Sequence, residues 1–189
     1  MRDIILGLGG NQPGEWGAPA ATLRRCLAEL ASADLVPTGI SRLYRTAPVG
    51  GPVQPAFLNA VVRVRSSLPP AGVLRVIKQL ERLAGRRAGQ RWGPRPLDID
   101  IIADGGRING WGRRGADTAC YRRGSHPSDR PFGLAVPHPR LHQRAFVLVP
   151  LIDIAPYWGH PALRRPARAL LADLGPRRRG VWLANESWP

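Results

Sequence analysis

Asp98 and Asp100 stand two residues apart in the stretch Leu97 to Ile102. In a strand, alternate side chains share a face, so this spacing sets both carboxylates on one side and leaves Leu97, Ile99 and Ile101 for a core. Aspartate is depleted in strands, and like charges on neighbouring same-face positions repel, so such a pair calls for a compensating cation. Mg²⁺ fits that need, because it takes hard oxygen ligands and commonly binds one or two carboxylates together with substrate phosphates. The other reading is a solvated strand face paired with nearby arginines. Just upstream, Arg86, Arg87, Arg91 and Arg95 crowd around Gly85, Gly89 and the Trp92, Gly93, Pro94 turn, which reads as a loop. Alone, that run would be a solvated basic loop. Beside two carboxylates it supplies what phosphoryl transfer asks of a protein: an oriented polyphosphate whose charge is spread over metal ions and guanidinium groups.

The elements that must position these groups can be read from periodicity. Asp3 to Leu8 alternates as a half-buried strand and is stopped by Gly9, Gly10 and Asn11. In Ala20 to Ala31, Leu23, Cys26, Leu27 and Leu30 share one face of a helix. Ile40 to Thr46 and Phe57 to Arg65 read as two further strands, the second turning Val62 and Val64 one way and Arg63 and Arg65 the other. Pro69 and Pro70 open a second helix striped by Val73, Ile77, Leu80 and Ala84, with Gly85 placed to end it. Leu97 to Ile102 is the fourth strand. The order predicts a ferredoxin-like α+β fold, βαββαβ, with a largely antiparallel sheet and helices on one face.

A chain of 189 residues with 43% hydrophobic content can bury one sizeable core. The formal net charge of +15 attracts polyanions of any kind, and apart from Lys78 the basic side chains are arginines, which suit forked contacts to phosphate. Cys26 and Cys120 form neither a disulfide framework nor a zinc motif. The apolar runs are short, and no secretory h-region opens the chain, so a cytoplasmic location is expected.

The stretches YRTAPVG (Tyr44 to Gly50), QPAFLNAVV (Gln54 to Val62), RWGPRPLDIDI (Arg91 to Ile101) and VPHPRLHQRAFVLVPL (Val136 to Leu151) resemble 6-hydroxymethyl-7,8-dihydropterin pyrophosphokinases. The resemblance implies transfer of diphosphate from ATP to the pterin hydroxymethyl group in folate synthesis, with AMP as the other product. It implies two Mg²⁺ ions held by Asp98 and Asp100, with Arg86 and Arg95 joining them as catalytic groups. Arg91, Trp92, Arg95, His138 and Arg144 would grip the nucleotide. Thr46, Val49, Phe57, Asn59, Trp92 and Phe146 would take the pterin, with Phe57 and Phe146 stacking on the ring. Glu81 matches an acidic position of the family and receives no role. The partners implied are small molecules, with no nucleic acid and no membrane, and a monomer is expected.

Some of these positions have plainer readings: core packing for Phe57 and Phe146, a solvent-facing amide for Asn59, a turn residue for His138. The arginine loop is shorter than is usual in the family, and Ala47 stands where the family often has a second proline. The domain is expected to span 1–157, interrupted by a Gly/Arg-rich surface insert at 104–133, with a 158–189 extension carrying a short helix from Pro166 to Leu174. Two rival functions stay open: a family member impaired in turnover that still binds pterin or nucleotide, and a basic RNA-binding module, although the latter needs aromatics exposed on its central strands.

Overall fold

A computed structural model describes residues 1–48, 52–87, 93–111 and 134–189. Strand β1 (Arg2–Gly10) leads into helix α1 (Pro19–Ser32), β2 (Val36–Ile40), β3 (Tyr44–Thr46), β4 (Phe57–Ser66), helix α2 (Pro70–Leu83) and β5 (Asp98–Asp104). Helix α3 (Ala145–Ile154), the short strands β6 (Gly159–His160) and β7 (Arg165–Pro166), helix α4 (Ala167–Asp173) and β8 (Val181–Leu183) follow. The result is a mixed α/β fold on an antiparallel sheet. Its strand order is β5-β1-β4-β3-β8, with β2 also pairing β4.

Both faces of the sheet are covered, where the sequence reading expected helices on one. On the first face Ile4, Leu6, Leu8, Val62, Val64, Leu97, Ile99 and Ile101 pack against the apolar stripes of α1 and α2. On the second, Ile5, Val61, Ile102 and Ala103 pack against α3 and α4. Helix α3 left no periodic signature because AFVLVPLIDI is apolar at every position but Asp153 and carries Pro150, which forfeits one backbone donor. It is tied to β3 by Asp153, which accepts from Tyr44 Oη at 2.8 Å and from Arg42 Nη2 at 2.8 Å.

The expected strand Ile40 to Thr46 is two strands. Ser41 N–H donates to Val61 O at 3.0 Å, but Val61 N–H turns to the Ser41 hydroxyl at 2.9 Å rather than to a carbonyl. That side-chain bond replaces a rung of the ladder and separates β2 from β3.

Strand β5 carries a bulge. Leu6 opposes Ile101 while Ile5 opposes Ala103, leaving Ile102 as the extra residue. The segment expected as an insert from Asp104 is partly ordered structure: Asp104 ends β5, Asn109 bridges Val136, and the Trp111 ring lies 4.5 Å from that of His160. The remainder of that insert, 112–133, lies outside the described residues.

Candidate active site

Asp98 and Asp100 are half-buried on β5, while Leu97, Ile99 and Ile101 between and beside them are buried in the core of the opposite face. Both carboxylates therefore stand on the sheet face that α3 covers only in part. Neighbouring β1 offers Gly9 opposite Asp98 and Gly7 opposite Asp100. Gly9 also faces Asn59 on β4, where an added Cβ would stand 3.0 Å from the Asn59 Oδ1. Two glycines thus leave a bare floor between the acidic pair and Asn59.

Guanidinium groups surround the carboxylates. Arg86 Nη1 reaches Asp98 Oδ1 at 2.6 Å, and Arg95 Nη1 reaches Asp98 Oδ2 at 3.1 Å. Arg144 Nη1 lies 3.5 Å from Asp100 Oδ2. Desolvation opposes ionisation of Asp98, but Arg86, then Arg95 and Lys78, outweigh it and hold its carboxyl below the usual range. Asp98 is therefore ionised at neutral pH.

Behind this layer stands Glu81, buried on α2. It accepts from Ile99 N–H at 2.9 Å and Lys78 Nζ at 2.8 Å, and it also pairs with Arg86. Burial pushes its pKa up against the pull of Lys78 and Arg86. The sequence left Glu81 without a role; its place between α2, β5 and Arg86 makes it the brace of the arginine that meets Asp98.

His138 follows β5 in space, its N–H donating to Ile102 O at 2.9 Å. Its Nδ1 accepts from Arg140 N–H at 3.1 Å, which assigns the proton of the neutral ring to Nε2, the atom 3.5 Å from Arg144 Nη1. Burial depresses its pKa, with Asp100 pulling the other way. Burial thus favours the neutral ring, which lies between the Arg140 backbone N–H and the Arg144 guanidinium.

Across the glycine floor, Asn59 Nδ2 donates to Thr46 Oγ1 at 2.7 Å, both side chains being buried. Phe57 opposes Thr46 in register and is half-buried on the same face of β4 as Asn59. Phe146, at the start of α3, is half-buried against the second core, with the Arg144 guanidinium 5.5 Å from its ring centre. Arg86, Arg95, Asp98, Asp100, His138 and Arg144 therefore gather on one side, and Thr46, Phe57 and Asn59 on the other. Val49, Arg91 and Trp92 lie outside the described residues.

One participant escaped the sequence reading, which took Asn11 as part of a turn. Its Nδ2 donates to Gln54 Oε1 and Pro55 O, each at 3.0 Å, while its Oδ1 accepts from Arg95 N–H at 2.8 Å. The sequence signal was an asparagine ending a glycine-rich strand, where such side chains often bind backbone.

The chain is a mixed α/β protein whose antiparallel sheet, with helices on both faces, carries an acidic pair ringed by arginines beside the buried Asn59–Thr46 pair. The model of the 7,8-dihydro-6-hydroxymethylpterin-pyrophosphokinase (HPPK) family matches residues 5–156, and the chain belongs to that family. The 2-amino-4-hydroxy-6-hydroxymethyldihydropteridine pyrophosphokinase of Mycobacterium tuberculosis (H37Rv) is 35% identical over 190 aligned positions, covering 95% of this chain and 87% of that protein. The Synechocystis protein of the same name is 35% identical, over 83% of this chain and 68% of its own length. A mitochondrial folate synthesis bifunctional protein of Arabidopsis thaliana is 37% identical over 80% of this chain, but the match spans only 23% of that larger protein. Among solved structures, Plasmodium falciparum HPPK-DHPS with SDX-DHP shares the fold, with a TM-score of 0.66 at 17% identity, covering 97% of this chain and 47% of that one.

Proposed function

We propose that the chain transfers the terminal diphosphate of ATP to the hydroxymethyl group of 6-hydroxymethyl-7,8-dihydropterin, giving AMP and the pterin diphosphate, a step of folate synthesis. The observation that carries this reading is the opposition of the Asp98 and Asp100 carboxylates, with their arginines, to the Asn59–Thr46 pair across Gly7 and Gly9. A polyphosphate and a polar heterocycle can lie on that floor with their reacting ends adjacent. The names and family of the relatives point the same way.

Mg²⁺ suits the donors present. Among the described residues no group of three or more His, Cys, Asp or Glu could hold a metal. Two carboxylates alone leave coordination sites open for phosphate oxygens and water, as Mg²⁺ prefers. Asp98 and Asp100 would hold two such ions, whose chemistry is to neutralise phosphate charge and polarise the bond that breaks. The protein's own groups do the rest. Arg86, Arg95 and Arg144 release their carboxylate contacts to bind phosphate oxygens, and His138 donates from Nε2. Arg91 and Trp92 join them from the loop. Asn59 and Thr46 read the polar edge of the pterin, Phe57 and Phe146 stack on its faces, and Val49 lines its border. The hydroxymethyl oxygen forms a bond to the β-phosphorus as the bond from that phosphorus to the α-bridging oxygen breaks, AMP carries away the electron pair, and the hydroxyl proton passes to solvent.

The core reads as ferredoxin-like because β1 lies between β5 and β4, each antiparallel to it, as a split βαβ pair requires. Residues 1–157 form the catalytic unit and 158–189 an extension docked on it. The protein acts as a cytoplasmic monomer on small molecules, without nucleic acid or membrane; among the described residues no helix is long and apolar enough to cross a bilayer.

The test is direct. Purified protein given ATP, Mg²⁺ and the dihydropterin yields AMP, and EDTA stops it. Release of ADP in place of AMP would overturn the reading.

A further inference from the structure

The segment after the family match is joined to the edge of the site. Strand β8 pairs antiparallel with β3, placing Val181 opposite Thr46, Trp182 opposite Arg45 and Leu183 opposite Tyr44. The seam extends at both ends. Ala47 N–H donates to Gly180 O at 3.3 Å, Ala184 N–H to Leu43 O at 2.9 Å, and Trp188 Nε1 to Ser41 O at 2.7 Å. Arg45 and Glu186 form an ion pair across it.

Side chains directly opposite one another in an antiparallel pair lie on the same face with their Cβ atoms about 4.5–5.5 Å apart. Val181 therefore stands beside Thr46, whose Oγ1 is the acceptor for Asn59, on the face that carries Phe57 and the acidic pair. It is half-buried and packs against the second core, as Phe146 does. Trp182, on the opposite side of the strand, is 56% exposed. An apolar side chain at this position adjoins the Thr46 end of the Asn59–Thr46 hydrogen bond, on the side of β3 away from β4.

Resting on the proposed function, we infer that Val181 is the outer wall of the subsite for the heterocycle, so that residues beyond the family match set the affinity and selectivity for the pterin and leave the nucleotide side untouched. A flat ring whose polar edge meets Asn59 and Thr46 would rest its apolar margin on this valine. A charge there would be poorly solvated and would compete with the ring for the amide.

The experiment uses the full chain and the fluorescence of oxidised 6-hydroxymethylpterin to measure its Kd without turnover, in parallel with steady-state KM values for ATP. Val181→Asp is expected to weaken pterin binding by about tenfold and Val181→Ala by about threefold, with KM for ATP within about twofold of wild type. Trp182→Ala, on the same strand but facing solvent, is expected to change neither. If Val181→Asp does not fold, the Val181→Ala ratio decides. Unchanged pterin affinity in the folded Val181 variants, or equal losses for pterin and ATP, would overturn the wall assignment. Wild-type protein that binds pterin with the expected Val181 dependence but releases no AMP would overturn the transfer reading instead and leave the wall standing.

Discussion

Asn11 and Arg95 exchange two hydrogen bonds: the Asn11 N–H donates to Arg95 O at 3.0 Å, and Asn11 Oδ1 accepts from Arg95 N–H at 2.8 Å. The same amide reaches Gln54 and Pro55 from its other side. One side chain thus fixes the end of β1, the arginine next to Asp98, and the loop entering β4. The neighbouring Gly10 is part of this joint, since a Cβ there would meet Pro96 O at 2.4 Å.

Asn11→Ala should therefore act on both halves of the site. Losing these bonds leaves the half-buried Arg95 N–H without its acceptor and unties the loop at Pro55, at a cost of about 1 kcal/mol. The urea midpoint should fall accordingly, and KM should rise for both ATP and pterin. A change in only one of them would show that the joint does not couple the two sides.

Removing Glu81 should damage the fold more than any exposed carboxylate does. Glu81→Ala leaves the buried Ile99 N–H without its acceptor and takes one carboxylate from Lys78 and from Arg86, which keeps Asp98, at a cost of about 1–3 kcal/mol. Glu81→Gln keeps an acceptor for Ile99 and should lose less. Denaturant unfolding of the two variants separates the charge from the hydrogen bond; equal losses would mean the bond to Ile99 N–H contributes nothing beyond the charge.

Asp100→Asn should separate chemistry from stability. The substitution removes a carboxylate from a repelling pair, so the melting temperature should hold or rise. AMP formation should drop by about 10²-fold or more, the size of effect seen when a group stabilising transition-state charge is lost. Pterin affinity should stay near wild type. Turnover at the normal rate would remove Asp100 from the metal-binding role.

Acid should weaken the protein through His160. This ring is buried, its Nδ1 accepts from Leu163 N–H at 3.1 Å, and burial followed by the proximity of His142 lowers its pKa to about 4. The unfolded chain takes the proton near the ordinary value of about 6.5, while the native ring resists until about pH 4. Between those limits the unfolded state binds more protons, so this contribution is complete above pH 6.5 and declines as the pH falls, by at most about 1.4 kcal/mol per unit. Urea midpoints measured from pH 7.5 to 4.5 should fall more steeply for wild type than for His160→Gln. Parallel curves would exclude the histidine as the cause.

Much of this architecture was legible because the relevant patterns are local. The alternation in Leu97 to Ile102 placed Asp98 and Asp100 on one face, and the stripes in α1 and α2 specified which sides they bury. What escaped had no local signature. Helix α3 lacks a polar side from which a period could be read. The break at Ser41 depends on a hydroxyl meeting Val61, a partner in another strand. Asn11 and Glu81 act by joining segments distant in sequence, and a spacing rule along one segment cannot register such junctions. The strand β8 is equally invisible from its own three residues, since its placement is decided by β3.

The seam between β3 and β8 bears on how the chain matures as it is synthesised. Tyr44 to Thr46 leave the ribosome well before their outer neighbours, Val181 to Leu183. Until those arrive, the nascent sheet shows an open margin able to pair with other chains, and closing it requires a contact of long sequence separation, which forms slowly. Translation that stalls before residue 181 would therefore release a molecule with its acidic pair in place and a sticky border, and yield would be lost to aggregation.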